Sequence, residues 1–310
     1  MQDTVVGQIF FSDNLGVLKM LSSASVDLIY IDPPFNTGKV QQRTQLRTVR
    51  AIDGERVGFQ GHRYRTIALQ TKRFSDVFDD YLGFLEPRLL EARRVLAPHG
   101  SFYFHIDYRE VHYCKVLLDS IFGRDAFLNE IIWAYDYGGR PKNRWPPKHD
   151  DILFYVKDPT NYVFNRDEIE RIPYLAPGLV GPAKAARGKL PTDVWWHTIV
   201  PTNSSEKTGY PTQKPLGIIR RIIQASSRPG DLVLDFFAGS GTTGVAALEL
   251  GRRFVLVDNN PEALTVMAKR FDGVDRIEWV GFDPQLHRGQ KCQPTLFSAP
   301  PPSQGHPDVP

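Results

Sequence analysis

The chain has 310 residues, 41% of them hydrophobic, with a net charge of only +3. That length exceeds one typical domain, so one large or two small domains fit, with ample apolar material for a core. No stretch reaches the roughly 18 apolar residues of a membrane span. The N-terminus lacks the basic-then-apolar pattern of a secretory signal. The two cysteines, Cys114 and Cys292, have neither metal spacing nor a framework of pairs. The expectation is a cytoplasmic protein with reduced thiols.

In chain order, Gln8 to Asp13 reads as a short strand ending in an acid, and Leu15 to Leu21 as one or two helical turns. Val26 to Ile31 is a strand-type apolar run that stops at Asp32-Pro33-Pro34-Phe35-Asn36-Thr37-Gly38. From Lys39 to Ser75, nine cations (among them Lys39, Arg43 and Arg47) face only Asp53 and Glu55. This stretch has little helical or alternating pattern and reads as a long basic loop, 39–75. Long loops in compact domains tend to be functional or disordered. A polyanion approaching Asp32 would meet this loop first, which suggests nucleic acid, because phosphate attraction needs no sequence match.

From about Phe74 to Leu96, apolar residues recur at helical spacing. Pro98 and Gly100 end that helix. Ser101 to Ile106 reads as a strand, Tyr108 to Phe122 as a helix, and Glu130 to Tyr135 and Ile152 to Lys157 as strands. Strands alternating with helices point to a mostly parallel sheet covered on both faces. Between about Asp136 and Gly209 the pattern breaks, with many prolines and glycines, the cations Arg140, Lys142, Arg144 and Lys148, and the pair Trp195-Trp196. Periodicity returns with a helix from Leu216 to Ser226 and a strand over 232–237. A glycine loop, a helix from Thr243 to Leu250 and a strand from Phe254 to Asp258 follow. The proline-rich tail, 298–310, reads as disordered. There are no internal repeats.

Two loops carry chemistry. Gly239-x-Gly241-x-x-Gly244, between strand and helix, fits a dinucleotide fingerprint. Asp258, 19 positions beyond Gly239, ends the next strand, where an acid binds ribose hydroxyls. On this loop alone a dehydrogenase and a methyltransferase are both open. The Asp32 loop discriminates between them. Two prolines fix φ and remove two backbone donors, leaving rigid carbonyls as acceptors. Asp32 and the Pro33 carbonyl could each accept one N–H of an exocyclic amine while Phe35 stacks on its ring. Hydride transfer has no need of such a clamp. Neither cysteine sits in a nucleophile-like context.

Together the loops resemble the amino-group DNA methyltransferases that use S-adenosylmethionine, in particular the permuted β group, where the catalytic motif precedes the cofactor motif. Asp32-Pro33-Pro34-Phe35 resembles the catalytic tetrapeptide and Asp235 through Gly241 the cofactor loop. Tyr210 to Pro215 resembles the segment flanking the methionine end of the cofactor. The resemblance implies a Rossmann-like methyltransferase fold, an α/β doubly wound, mostly parallel sheet with circularly permuted motifs. Its catalytic domain would span 1–135 and 210–285, with an irregular target-recognition region at 136–209. It implies catalytic roles for Asp32, Pro33, Pro34 and Phe35. Cofactor contacts fall to Asp13 (adenine), Thr212, Gln213, Lys214, Asp235, Phe237, Gly239, Ser240, Gly241, Thr242 and Asp258 (ribose).

Lys39, Arg43, Arg47, Arg140, Lys142 and Lys148 are the expected DNA contacts, and no metal is implied. The partner would be double-stranded DNA with a flipped target base, no membrane being involved. A homodimer and a cognate restriction endonuclease are further candidate partners. In the family an initial Asp accompanies adenine more often than cytosine, so adenine N6 is favoured over cytosine N4. An NAD-dependent oxidoreductase, an inactive nucleic-acid-binding protein, and a methyltransferase acting on RNA or protein glutamine stay open as alternatives.

Overall fold

The computed structural model describes residues 5–36, 39–50, 56–57, 63–76 and 78–287, the segments within 39–76 by their backbone. Thr37, Gly38, Cys292 and the tail 298–310 lie outside the described residues.

The first part of the chain runs β1 (Gly7–Phe11), α1 (Asn14–Met20), β2 (Val26–Ile31), β3 (Lys39–Arg50), β4 (Arg56–Val57), β5 (Arg63–Asp76), α2 (Tyr81–Val95), β6 (Leu96–Asp107) and α3 (Val111–Phe122). It continues as β7 (Phe127–Ala134), β8 (His149–Val156), α4 (Pro182–Arg187), β9 (Val194–Trp196), α5 (Leu216–Ser226), β10 (Leu232–Asp235), α6 (Thr242–Glu249), β11 (Arg253–Asp258), α7 (Pro261–Arg270) and β12 (Ile277–Val280).

Nine strands form one sheet in the order β12-β1-β11-β10-β2-β6-β8-β7-β9. From β12 to β6 all neighbours are parallel. β8 runs antiparallel to both β6 and β7, and β9 is parallel to β7. The central strands are near-continuous apolar runs because helices cover both faces and leave no wet side. One core packs Val17 and Leu18 of α1, Leu85 and Leu89 of α2 and Leu118 of α3 on one face. The other packs Ile218, Ile219, Ile222 and Ile223 of α5, Ala246 of α6 and Leu264 of α7 on the opposite face. The expected doubly wound, mostly parallel architecture is present.

β2 and β10 lie side by side, with Val233 opposite Leu28 and Leu234 opposite Ile29. Strands about two hundred residues apart in the chain therefore deliver Asp32 and Asp235 to the same edge. β1 and β11 bring Asp13 and Asp258 to that edge as well, Phe11 being paired with Asp258. Ligands of open α/β sheets bind beyond these carboxyl ends.

Three readings are corrected. The described parts of the basic stretch 39–75 are not a loop: β3 and β5 pair antiparallel from Lys39↔Asp76 to Arg50↔Tyr64, with β4 alongside. Backbone ladders organise this ribbon, and the sequence over it shows no clear alternation that would have reported it. The helix expected from Phe74 starts only at Tyr81, where Asp80 caps it by accepting the Gly83 N–H at 2.8 Å. Finally, 136–209 is not wholly an insertion, since β8 and β9 within it are strands of the main sheet.

Candidate active site

A cavity of about 960 Å³ opens at the carboxyl edge, between the Asp32 loop, the glycine loop and Tyr210–Lys214. Asp13, Asp32, Asp235 and Asp258 all reach its wall. They differ in what holds them.

Asp32 follows β2 directly. Its Oδ2 is held by the Lys214 ammonium. Its Oδ1 is buried with no partner among the described residues. A buried, unmatched carboxylate oxygen is costly unless something donates to it. The loop is rigid around it. The Pro34 carbonyl accepts from the Tyr81 hydroxyl at 2.6 Å. Asn36, at φ 48°, donates through Nδ2 to Glu110 at 3.0 Å and accepts the Phe78 N–H at 3.2 Å. Lys214 Nζ lies 4.8 Å from the Phe35 ring centroid.

Behind this loop runs a buried polar chain. Tyr30 Oη meets His105 Nδ1 at 2.7 Å, and His105 Nε2 meets Asp150 Oδ2 at 3.2 Å. The Tyr135 hydroxyl donates to Asp150 Oδ1 at 2.9 Å. The Phe35 ring lies 5.9 Å from the His105 ring. Burial, then the charges of Asp32, Asp235 and Asp150, push the Tyr30 phenol well above its ordinary value. Burial opposes ionisation of Asp150, but His105, the charge of Lys214 and the Tyr135 hydrogen bond together outweigh it and hold the carboxyl below its usual range.

The glycine loop is closed on itself. Asp235 accepts the Phe237 N–H at 3.0 Å and the Thr243 hydroxyl at 2.6 Å. Burial nonetheless pushes its carboxyl up to about 7. Asp258 accepts the N–H groups of Gly239 at 2.7 Å and Asn260 at 2.8 Å, and burial raises it too. Gly241, at φ 74°, opens α6, and a Cβ there would lie 2.7 Å from Met267 Cγ. A Cβ on Gly244 would lie 2.7 Å from Leu256 Cδ1, so this glycine serves helix–strand packing. Arg270 ties the turn by donating to the Ser240 carbonyl at 3.0 Å and Thr242 Oγ1 at 2.9 Å.

Asp13 caps α1, accepting the Gly16 N–H at 3.1 Å, and pairs with Arg88 at 3.1 Å. Asn14 ties α1 to the glycine loop and to α2, donating to the Phe236 carbonyl at 2.8 Å and accepting from Arg88 Nε at 2.6 Å.

Of the expected cofactor residues, Asp13, Thr212, Lys214, Asp235, Phe237, Gly239, Ser240, Thr242 and Asp258 line the cavity. Gln213 and Gly241 do not. The Gln213 amide is buried and clamps its own segment, accepting from Thr208 and donating to the Glu206 carbonyl at 2.7 Å. Among the expected DNA contacts, Lys39, Arg43 and Arg47 sit on β3. Arg140 pairs with Asp136 at 3.1 Å and Lys142 is exposed. The Lys148 ammonium is engaged by the carbonyls of Tyr137 and Gly138 at 2.6 and 2.8 Å, closing the 137–148 loop. Trp195 is buried and Trp196 is 78% exposed. Burial, then Glu110 and Asp107, push the Cys114 thiol up to about 12, which leaves it inert as a nucleophile.

Sequence reasoning missed Asn14, Tyr30, Arg88, His105 and Asp150. A histidine inside the apolar run Ser101–Ile106 was the readable signal. A buried polar side chain needs partners.

A rigid acid-and-two-proline loop facing a glycine-rich loop across one cavity, both on neighbouring parallel strands, defines a class of group-transfer enzyme acting on an amine. The chain belongs to the DNA methylases, whose N6_N4_Mtase family model matches residues 26–270. It is similar to the type II methyltransferase M.HpaI of Haemophilus parainfluenzae, at 32% identity over 281 residues, covering 91% of this chain and 78% of the relative. It is 32% identical over 277 residues to the DNA adenine methyltransferase YhdJ of Escherichia coli strain K12, covering 85% and 82%. Among solved structures, the M1.HpyAVI–SAM complex shares the fold with a TM-score of 0.54 at 23% identity, covering 86% of this chain and 99% of that one. No helix among the described residues is long and apolar enough to cross a membrane.

Proposed function

We propose that this protein methylates the exocyclic amino nitrogen of a base in double-stranded DNA, with S-adenosylmethionine as donor and adenine N6 as target. The observation that carries the reading is Asp32: one oxygen is held by Lys214 and the other is buried and unmatched in the wall of the cavity. An amine N–H supplies the missing donor. The Pro33 carbonyl takes the second N–H, and Phe35 stacks on the ring that bears the amine. With both protons held, the nitrogen lone pair points at the electrophile.

The cavity fits the donor. Its glycine loop brings backbone to the wall, its acids Asp13 and Asp258 stand at the ends of β1 and β11 on the same edge, and about 960 Å³ is ample for a nucleoside-sized ligand beside a base. When bound, S-adenosylmethionine supplies an electrophilic methyl carbon on a sulfonium. The chain's own contribution is positioning and charge complementarity. A duplex base does not reach such a pocket while stacked, so the target is flipped out at a cost of a few kcal/mol.

Adenine is favoured over cytosine because the tetrapeptide opens with Asp32 and because an adenine methyltransferase is among the relatives at 32% identity. Cytosine N4 presents the same amino group on a flat ring and is the second reading. The parts of 136–209 outside β8 and β9 are the proposed target-recognition region, with Lys39, Arg43, Arg47, Arg140 and Lys142 toward the phosphates.

Nucleoside mass spectrometry of unmethylated DNA, incubated with the protein and S-adenosylmethionine, tests this. N6-methyladenine is expected. N4-methylcytosine keeps the site and mechanism but moves the base. No methylated base on DNA of varied sequence rejects the DNA substrate.

A further inference from the structure

A second cavity, of about 330 Å³, lies further along α5. Ile219 of that helix reaches the catalytic cavity, whereas Arg221, Ile222 and Ala225 line the second one. The two cavities share no lining residue. Tyr103 of β6 and Phe154 of β8 stack at 4.3 Å between ring centroids and give the second cavity an aromatic wall. Trp195 of β9 gives it another, and its ring is fixed because Nε1 donates to the Thr192 carbonyl at 2.7 Å. Ile131, Ile169 and Leu190 add aliphatic surface. This size and lining are those of a small-ligand site.

One cation stands among these apolar walls. Arg221 is half-buried, with its guanidinium carbon 4.9 Å from the Trp195 ring centroid. Its Nε is buried with no hydrogen-bond partner among the described residues. Burial lowers the guanidinium from its ordinary value, and the charge of Glu170 opposes that shift. An arginine nevertheless stays protonated and can only donate. A buried donor left unmatched is costly, and more so on a charged group. The chain fixes the apolar side of the site and leaves its acceptor to be supplied.

We propose that this cavity is a binding site for a small aromatic monocarboxylate. The ligand's carboxylate accepts from Nε and one Nη of Arg221, the side-by-side geometry that a guanidinium offers to a planar anion. The ligand's ring packs on the aromatic walls. The charges select a single negative charge. Asp193 also lines the cavity, and Glu170 acts on Arg221 from outside it. Both acids are exposed, so water screens them from the guanidinium, but together they disfavour a dianion such as a phosphate ester. A neutral aromatic fills the walls but leaves Arg221 unmatched. The site goes beyond methyl transfer and does not depend on it.

Calorimetric titration of the full chain with indole-3-carboxylate tests the site. One ligand per chain is expected, with a Kd of about 0.05–1 mM for a molecule of this size. The neutral indole-3-carboxamide and the dianion phenyl phosphate are each expected to bind at least about tenfold more weakly. Arg221→Met keeps the stem and removes the donors, and it should weaken the carboxylate by about 10- to 100-fold. Leu190→Trp fills the cavity from a half-buried wall and should abolish binding. It stands in if Arg221→Met fails to fold, and melting temperatures without ligand check both variants. No binding of the carboxylate at several times the upper Kd overturns the site. So does carboxamide binding as tightly as the carboxylate. Undiminished binding in either folded variant places the ligand elsewhere and also overturns it. Phenyl phosphate binding more tightly than the carboxylate overturns the monoanion assignment.

Discussion

Asp32 and Asp235 end adjacent parallel strands, both line the same cavity, and both begin a conspicuous motif. Their environments divide their labour. Asp235 is wrapped by its own loop, both oxygens accepting from Phe237 and Thr243. Asp32 keeps one oxygen buried and unmatched. The first acid builds the turn that holds a ligand, whereas the second is left open for one. A carboxylate whose bonds are all internal is structural even in the wall of a site, and the unsatisfied one is the reactive one.

The sharpest break of that contrast is Asp32→Ala. It is expected to lower single-turnover methylation by at least about 10³-fold while cofactor affinity, measured calorimetrically, changes little. Activity within tenfold of wild type would remove Asp32 from the chemistry.

Asp235 should respond in stability. Asp235→Ala strips the Phe237 and Thr243 partners and is expected to cost about 1–3 kcal/mol in denaturant unfolding, with weaker cofactor binding. Asp235→Asn keeps the shape. Its pH dependence follows from a folded carboxyl pushed up to about 7. Below the unfolded value near 4 both states are protonated and the group is neutral for stability. As pH rises toward 7 the unfolded chain ionises first, so the wild-type fold loses stability. Asp235→Asn is therefore expected to gain on wild type by up to about 4 kcal/mol at pH 8 and by nothing near pH 4. A flat difference would mean that burial does not hold the proton.

Gly244→Ala tests the packing of the same loop. Its Cβ would meet Leu256 at 2.7 Å, so about 1–3 kcal/mol should be lost. The mildest effect separates two lysines of the 137–148 segment. Lys142→Ala should weaken DNA binding and reduce the salt slope by about 1. Lys148→Met should leave the slope nearly unchanged, because its ammonium already bonds two backbone carbonyls. Equal slopes for the two variants would undo this distinction.

Much of the site was legible in sequence because its parts are local. Asp32-Pro33-Pro34-Phe35 is rigid by its own covalent geometry, and Gly239 to Gly244 declares a turn that side chains would obstruct. The strands β2, β6, β10 and β11 are visible as apolar runs. The ribbon β3–β5 was not legible, because its order comes from pairing between strands that the local sequence does not announce. Gln213 looked like a ligand contact in Tyr210–Pro215, yet its amide faces Thr208 and Glu206. Nothing in the order of residues indicates which way an amide turns.

The sequence by itself determined the class of fold, the two chemical loops and their order along the chain, since hydrophobic runs, prolines and glycines act within a few residues. Tertiary structure alone decided that β2 and β10 are neighbours and that Lys214 reaches Asp32. It also decided that Tyr30, His105 and Asp150 join across three strands. The side-chain contacts among these join residues 45 to 182 positions apart, and only the pairing of strands and packing of loops brings such distant groups within hydrogen-bonding reach.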